Sequence, residues 1–284
     1  MKRQKTFEND NPKLYLVATP IGNLEDITLR ALNTLKMVDI IYCEDTRTSL
    51  KLLNHYDIKA PLHSYHLFNE KEISEKIMNN IKKGMNVAII SDAGMPVISD
   101  PGWIAVSDAI REEIEVVIIP GVSAGITALV GSGLNSYKYY FGGFLNSKKA
   151  KREKELEKLS SKEETIVIYE SPHRIEETLK IIDKIYKDRP IVIARELTKK
   201  HEEYLRGTAK EMLEVVDTIK GEMVVMISGN VDKVDKDLTS LSTKEHYQYY
   251  LDLGLDSKDA LKQVAVDKNV SKKEIYQELF KNKK

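Results

Sequence analysis

The chain has 284 residues, with 44 basic and 44 acidic side chains, so its formal net charge at pH 7 is zero. A protein that binds nucleic acid through its overall charge should be basic, and any such contact here must therefore come from local patches. The length allows two domains and a small appendage. Cys43 has no partner for an internal disulfide, and no apolar run reaches membrane-spanning length, so we expect a cytoplasmic protein.

Strand-like and helix-like segments alternate through the first part of the chain, after a tail of residues 1–12. Ile73, Ile77 and Ile81 lie four residues apart, which predicts a helix that Gly84 terminates. The order β-α-β-α predicts a first α/β domain over residues 13–122 with a largely parallel sheet. Its predicted strands are residues 14–18, 39–43, 86–90 and 116–119.

A second alternating block, residues 123–230, predicts a second α/β domain. Its predicted strands are residues 139–144, 165–169, 191–195 and 222–227, with a charged helix over 148–159. Residues 231–240 form a polar linker, and residues 241–284 contain only helical patterns. In that last segment Ser257 and Ser271 are predicted helix N-caps, which indicates a helix-turn-helix-like module.

The most informative stretch is residues 91–102, Ser-Asp-Ala-Gly-Met-Pro-Val-Ile-Ser-Asp-Pro-Gly. A buried strand precedes it and a helical pattern follows it. Loops at the carboxyl ends of strands are where α/β proteins bind ligands, and the glycines and prolines impose an unusual backbone path. The stretch therefore predicts a ligand-binding loop, although Asp92 and Asp100 could each serve only as a cap.

Several common signatures are missing. No Gly-x-Gly-x-x-Gly follows the first strand, and no Gly-Lys-Ser/Thr motif is present, which argues against dinucleotide and P-loop sites. The six histidines lack paired metal-ligand spacing, so no metal site is expected. A nucleophile elbow is also absent, which argues against a serine hydrolase.

Five strand-end motifs occur in a fixed order, and together they resemble a known family. They are residues 17–24, 44–47, 91–102, 120–124 and 169–174. The set resembles the ribosomal RNA small subunit methyltransferase I branch of the tetrapyrrole methylase superfamily. The resemblance runs from about Leu14 to Gly229, and residues 253–261 are similar to the small C-terminal module of that branch.

The resemblance implies two α/β/α domains, with S-adenosyl-L-methionine in the cleft between them and a small helical module appended. It implies methyl transfer to the ribose 2'-hydroxyl of a cytidine, position 1402, in the 16S rRNA of the small ribosomal subunit. It also implies a homodimer. Two alternatives stay open: a tetrapyrrole C-methyltransferase of the same fold, and a non-catalytic RNA-binding ribosome-assembly factor.

Matching positions give the site residues that the resemblance implies. Cofactor-binding positions are Pro20, Asp92, Ala93, Gly94, Ser123, Ala124 and Tyr169. Ser-Asp-Ala at residues 91–93 replaces the superfamily's Gly-Asp-Pro, which puts tetrapyrrole substrates in doubt. Glu170 and His173 are the candidate general bases, since they lie in one strand-end loop, although His173 could equally sit in the first turn of a helix.

Basic residues give the candidate RNA contacts. The expected substrate-binding residues are Arg47, Arg174, Lys148, Lys149 and Arg152, because guanidinium and ammonium groups neutralise phosphates. The simpler alternative is that these side chains are solvated surface charges. Lysines of the helical tail add to the expected RNA contact: Lys272, Lys273, Lys281, Lys283 and Lys284.

Overall fold

A computed structural model describes residues 1, 3–6, 8–230, 238, 241–252 and 254–280. The chain divides into two compact units, Met1–Gly229 and Asn230–Lys284. The predicted linker, apart from residue 238, lies outside the described residues, as do Leu253 and the lysines at 281, 283 and 284. Among the described residues no helix is both long enough and apolar enough to span a bilayer.

The first sheet has five strands that all run parallel, in the order β3-β2-β4-β1-β5. The strands are β1 Leu14–Val17, β2 Ile40–Cys43, β3 Leu62–Ser64, β4 Val87–Ile90 and β5 Val116–Ile119. The helices of this part are α1 Leu29–Met37, α2 Thr46–His55, α3 Glu70–Lys82, α4 Trp103–Arg111 and α5 Ala124–Ser132. The predicted parallel α/β arrangement is therefore confirmed.

Helices cover both faces of this sheet, which is why its central strands are continuous apolar runs. All four residues of β4 are buried, and its neighbour β1 is buried at three of four positions. Ile77 and Ile81 of α3 are buried in the core on one face of the sheet, as their spacing predicts. The core on the other face includes Leu35 and Leu53 from α1 and α2.

The second sheet is mixed, in the order β6-β7-β10-β8-β9. Only β6 and β7 pair in parallel, and the three other pairings are antiparallel. The strands are β6 Tyr139–Phe144, β7 Thr165–Glu170, β8 Ile191–Arg195, β9 Glu203–Gly207 and β10 Met223–Ile227. The helices of this part are α6 Lys149–Leu159, α7 Ile175–Tyr186 and α8 Ala209–Glu214.

Helix α5 follows β5 of the first sheet but packs on the second sheet. Ala128 and Leu129 share one buried cluster with Val192 of β8 and Met226 of β10. Arg206 of β9 donates hydrogen bonds to the carbonyls of Gly131 and Ser132, at 2.6 and 3.0 Å. The connection between the two sheets is therefore a packed helix, and both sheets belong to one compact unit.

In the described part of the second unit there are three helices, α9 Thr243–Asp252, α10 Ser257–Asp267 and α11 Lys272–Phe280. Ser271 caps α11 as predicted, since its hydroxyl accepts from the Glu274 amide while the Glu274 carboxylate accepts from the Ser271 amide. The predicted cap of α10 is wrong, because Asp256, one residue earlier, accepts hydrogen bonds from two first-turn amides.

Candidate functional site

A cavity of about 390 Å³ opens between the two sheets. The first sheet contributes the loops that follow β1, β4 and β5, and the second contributes the carboxyl ends of β6, β7 and β8 and the start of β10. The lining residues are Ile21, residues 92–95 and 98–100, Ser123, Ala124, Phe144, residues 169–172, Ala194, Glu196, Leu197, Lys199 and residues 222–224. This volume lies within the usual range for small-molecule sites, ~300–1,000 Å³.

Backbone hydrogen bonds fasten the loop after β4 to the loop after β1. Thr19 and Gly94 form an isolated antiparallel bridge, with N–O distances of 2.8 and 3.0 Å. The Ser91 hydroxyl donates to the Gly94 carbonyl at 2.8 Å, and the Thr19 hydroxyl donates to the Ser91 carbonyl at 3.0 Å. Residues 91–94 therefore present a fixed backbone to the cavity.

The rest of this loop holds a strained backbone. Gly94 and Gly102 have φ values of +85° and +135°, and the non-glycine residues Val97 and Ser99 have +74° and +65°. A left-handed conformation costs a non-glycine residue about 1–2 kcal/mol, and such strain is concentrated at functional sites. Glu70 of α3 secures the end of the loop, because its Oε1 accepts from the amides of Gly102 and Ile104 at 2.8 and 3.2 Å.

Tyr169, at the end of β7, joins the second sheet to the start of α5. Its hydroxyl oxygen accepts a hydrogen bond from the Gly125 amide at 3.3 Å. Its ring lies edge-on to Phe141 and Phe144, with centroids 5.1 and 5.4 Å away. Burial raises the pKa of the Tyr169 phenol, and the nearby charge of Asp100 adds to the rise.

Several acidic side chains lie in and next to the loop after β4. The Asp92 carboxylate accepts from the Asp45 amide at 3.1 Å, and burial raises its pKa. Burial also raises the pKa of Asp100 to about 7, and the charges of Glu44 and Asp92 add to that shift. Burial, followed by the charge of Asp92, raises the pKa of Glu44 as well. This part of the cavity therefore favours a positively charged ligand.

Glu170 lines the cavity, but its carboxylate is already fully engaged. It is buried and accepts from the Thr178 hydroxyl at 2.6 Å and the Ser171 amide at 2.9 Å. Its Oε1 also lies 3.2 Å from Nε of Arg174. Both carboxylate oxygens of Glu170 therefore already have partners within the protein, and its role as a general base stays a prediction.

His173, the other candidate base, is exposed and does not line the cavity. It lies in the turn between β7 and α7, two residues before the helix begins. Pro20 does not reach the cavity wall either, and the neighbouring Ile21 does so in its place. In both loops a neighbouring residue lines the cavity instead, Ile21 after Pro20 and Pro172 before His173.

The predicted RNA-binding arginines differ in their surroundings. Arg152 is fully buried and pairs with Glu177 of α7, so the prediction that it contacts RNA is wrong. The Arg174 guanidinium donates a hydrogen bond to the Leu145 carbonyl at 2.9 Å. Arg174 therefore holds the chain just after β6 in place and is not a free cation. Arg47 is exposed in the first turn of α2, and its guanidinium lies 2.8 Å from the carboxylate of Asp45, the N-cap of that helix.

Lys148 and Lys149 are exposed at the start of α6, directly after the cavity-lining end of β6. Lys149 Nζ lies 3.6 Å from Glu177, a loose pair on the surface. These two lysines remain candidates for phosphate contact.

The cavity thus brings together most of the predicted cofactor residues: Asp92, Ala93, Gly94, Ser123, Ala124 and Tyr169. It also contains residues that the sequence analysis missed, chiefly Phe144 and the segment Glu196–Lys199 after β8. Lys199 pairs there with Glu196 and Glu222, at 3.2 and 3.1 Å. The Gly142-Gly143 pair before Phe144 was the available signal, since glycines in a strand mark a bulge, and β6 shifts register there.

The residues present fit S-adenosyl-L-methionine. Ile21, Ala124 and Leu197 offer apolar surface for an adenosine group, and the fixed backbone of residues 92–95 offers hydrogen bonds. The acidic groups Asp92 and Asp100 match the positive charge of a sulfonium. A Cβ at Gly125 would lie 3.4–3.6 Å from Phe141, Tyr169 and Val167, so small residues are needed where α5 meets the cavity.

Comparison with known sequences gives consistent results. The sequence model of the family described as "Tetrapyrrole (Corrin/Porphyrin) Methylases" matches residues 13–213. The chain is 46% identical over 284 residues to the "Ribosomal RNA small subunit methyltransferase I" of Bacillus subtilis strain 168, which covers 97% of each chain. The protein of that name from Synechocystis sp. strain PCC 6803 is 39% identical over 267 residues, covering 93% of this chain and 96% of the relative.

Solved structures show the same fold at low sequence identity. The methyltransferase CobJ matches with a TM-score of 0.61 at 14% identity, over 77% of this chain and 95% of that chain. A diphthine synthase matches with a TM-score of 0.60 at 12% identity, over 76% of this chain and 89% of that chain. These likenesses confirm the predicted fold class, an α/β fold with two sheets, of which the first is parallel and the second mixed.

Proposed function

The chain belongs to the ribosomal RNA small subunit methyltransferase I family of tetrapyrrole methylases, and from that premise we propose that it methylates 16S rRNA. The acceptor is the ribose 2'-hydroxyl of the cytidine at position 1402, and S-adenosyl-L-methionine is the methyl donor. The observation that carries the proposal is the inter-sheet cavity, whose walls include residues from four of the five strand-end motifs: 17–24, 91–102, 120–124 and 169–174.

The cofactor-holding residues of this proposal are Asp92, Ala93 and Gly94 on one wall and Ser123 with Tyr169 on the other. When bound, S-adenosylmethionine supplies a methyl group activated by a positively charged sulfonium. The chain's own task is to hold the acceptor oxygen in line with that methyl group, because alignment supplies a large part of the acceleration in such reactions. The strained, fastened loop after β4 suits that task.

The base of the acceptor nucleotide needs an aromatic side chain to stack on once it has left the stacked bases of the RNA. Phe144 lines the cavity yet is 59% exposed, so its ring is available to an unstacked base. Proteins that act on structured nucleic acid extrude the target nucleotide and stack it on aromatic side chains. We assign Phe144 this stacking role and Lys148 and Lys149, a few residues further on, the phosphate contact.

The proposal includes the domain division and the assembly. Residues 13–122 and 123–230 are the two domains that form the cavity, and residues 241–284 are an RNA-contacting module. The protein is a cytoplasmic homodimer. Support for the homodimer comes from β5, an edge strand, where Ile118 is 48% exposed, and from Val130 of the following helix, which is 77% exposed.

The test is methyl transfer from labelled S-adenosylmethionine to small ribosomal subunits that lack the 1402 ribose methyl. Primer extension at low nucleotide concentration should then stop at position 1402, and a 2'-deoxycytidine at that position in a synthetic RNA should abolish labelling. Transfer to a tetrapyrrole instead of RNA would establish the C-methyltransferase alternative. Failure of the protein to bind S-adenosylmethionine in calorimetry would establish the non-catalytic alternative.

A further inference from the structure

Helix α4 begins without a cap from its own segment of the chain. Its N-cap is Gly102, which has no side chain to accept a hydrogen bond, and the φ of Gly102 is +135°. The first amides of a helix have no partner within the helix, so they need an acceptor from elsewhere. Here the acceptor is Glu70, whose Oε1 takes hydrogen bonds from the amides of Gly102 and Ile104 at 2.8 and 3.2 Å.

The position of Glu70 in the fold makes its carboxylate a strong acceptor. Glu70 is the first residue of α3, so its carboxylate lies at the N-termini of two helices, and both helix dipoles favour a negative charge there. The hydroxyl of Tyr65, a residue that is 1% exposed, donates to the same Oε1 at 3.2 Å. Hydrogen bonds to a charged acceptor are roughly twice as strong as those between neutral groups. One carboxylate therefore joins the segment after β3 to the start of α4.

The same contact determines the shape of the part of the loop after β4 that faces the cavity. Val97 packs against the core formed by α3, α4 and the first sheet. A Cβ at Gly102 would lie 2.7 Å from Cγ2 of Val97, so these two residues lie against each other. Between them are residues 98–100, all three of which line the cavity. Residues 98–100 therefore take their position from Val97 on one side and Gly102 on the other.

The backbone of this segment is under strain. Val97 and Ser99 have φ values of +74° and +65°, a conformation that non-glycine residues keep only where the surrounding structure enforces it. Ser99 also lies beside the second sheet, since a Cβ at Gly143 would be 3.0 Å from its Oγ. If the end of the segment at Gly102 were released, the strain would drive residues 97–99 into other conformations and disturb the cavity wall.

We propose that Glu70 is a positioning residue of the methyl-transfer site, which holds residues 98–100 in the conformation that binds the cofactor. Glu70 is not among the residues that line the cavity, and it acts through the amides of Gly102 and Ile104. The inference rests on the proposed function, because it assumes that the cavity binds S-adenosylmethionine. When only a fraction of the molecules has the binding conformation, the apparent affinity falls by that fraction. Loss of Glu70 should therefore weaken cofactor binding more than it slows the saturated enzyme.

Ser74 provides a matched control on the same pair of helices. It lies one turn after Glu70 on α3 and is fully buried, and its hydroxyl donates to the carboxylate of Asp108 on α4 at 2.7 Å. Ser74→Ala removes this polar link between α3 and α4 but leaves the contacts of Gly102 in place. It should lower the melting temperature and keep the affinity for the cofactor within about twofold of wild type.

The experiment compares full-length wild type with Glu70→Ala, Glu70→Gln and Ser74→Ala. Calorimetry with S-adenosylhomocysteine gives the product affinity, and methyl transfer to RNA gives KM and kcat. Glu70→Ala should lower product affinity about 10- to 100-fold and raise the KM for S-adenosylmethionine by a similar factor, as the loss of hydrogen bonds to a charged group implies. Its kcat at saturating cofactor should stay within about threefold of wild type, because bound cofactor selects the ordered loop. Glu70→Gln keeps an acceptor oxygen but loses the charge, so its affinity should fall only about three- to tenfold.

Unchanged product affinity in Glu70→Ala would overturn the proposal, and so would a fall in kcat with an unchanged KM. An equal loss of affinity in Ser74→Ala would also overturn it, because looser packing of α3 on α4 would then account for the effect. If Glu70→Ala does not fold, Glu70→Gln is the deciding variant, and wild-type affinity in it refutes the proposal. If wild type itself binds no S-adenosylhomocysteine or transfers no methyl group to RNA, the proposed function fails, which is distinct from a loss confined to the Glu70 variants.

Discussion

The buried pair of Arg152 and Glu177 allows a direct test of which basic residues serve the fold and which serve RNA. The Arg152 side chain is 1% exposed and the Glu177 side chain is 43% exposed. Removing Glu177 leaves a cation buried without its partner, whereas removing Arg152 leaves a carboxylate that water can reach. The two substitutions should therefore differ greatly in cost.

Breaking a buried ion pair costs about 3–5 kcal/mol, and we expect Glu177→Gln to fall near the lower end, about 3 kcal/mol, because that partner is half exposed. Arg152→Met keeps an unbranched chain in the same space and removes Nε, a buried donor without a hydrogen-bond partner among the described residues. Its cost should be below about 1 kcal/mol, since well-packed apolar replacements of buried charges are often neutral.

Urea unfolding measures the loss of unfolding free energy in both variants. Binding of a 16S rRNA fragment at several salt concentrations then tells whether a basic residue stabilises the fold or contacts RNA. Arg152→Met should leave the salt dependence unchanged, whereas Lys148→Gln with Lys149→Gln should reduce the slope of log K against log salt by about 1–2. If Arg152→Met lowers this slope as the lysine variants do, the arginine contacts RNA and our structural assignment is refuted.

Three further predictions concern the cavity and its supports. Gly94→Ala and Gly133→Ala should each cost about 1–2 kcal/mol in urea unfolding, because both glycines have left-handed φ, +85° and +81°. Only Gly94→Ala should also weaken S-adenosylmethionine binding in calorimetry. Equal affinity of the two variants would show that Gly94 is not part of the cofactor site. Tyr169→Phe deprives the Gly125 amide of its acceptor and should lower both stability, by about 1–3 kcal/mol, and cofactor affinity; unchanged values would show that water replaces the phenol. Thr208→Ala breaks the capping box of α8 and should cost about 1 kcal/mol with no effect on cofactor affinity, and a loss of affinity would mean that α8 is coupled to the cavity.

The sequence predicted four of the five strands of the first sheet, because strands buried on both faces are continuous apolar runs. It missed β3, a three-residue strand at the edge of that sheet with two exposed positions. It missed β9, whose residues Glu203–Gly207 alternate weakly and lie at the edge of the second sheet. It could not predict that β10 runs antiparallel to both neighbours, since strand direction depends on pairings between segments far apart in the chain. For that reason Glu222 and the first two residues of β10, Met223 and Val224, were not expected in the site.

The sequence could predict the part of the site that depends on backbone conformation. It could not predict the part that depends on side chains from distant segments of the chain. The glycines and prolines of residues 91–102 identified the loop from sequence alone. The environment of Asp100 depends on Glu44, which follows another strand, so the sequence left capping and function equally open. Arg152 looked like part of a solvated lysine-rich face, because its partner Glu177 is 25 residues away on another helix.

Helix α5 belongs mechanically to the second sheet, although it follows β5 of the first sheet in the chain. Ala128 and Leu129 are buried against the second sheet, and Arg206 donates hydrogen bonds to the last turn of the helix. A change in the angle between the two sheets would therefore be absorbed at residues 120–123, before the helix begins, and would leave the packing of α5 on the second sheet intact. Because Ser123 and Ala124 line the cavity, such a change would alter the width of the cavity at the same place.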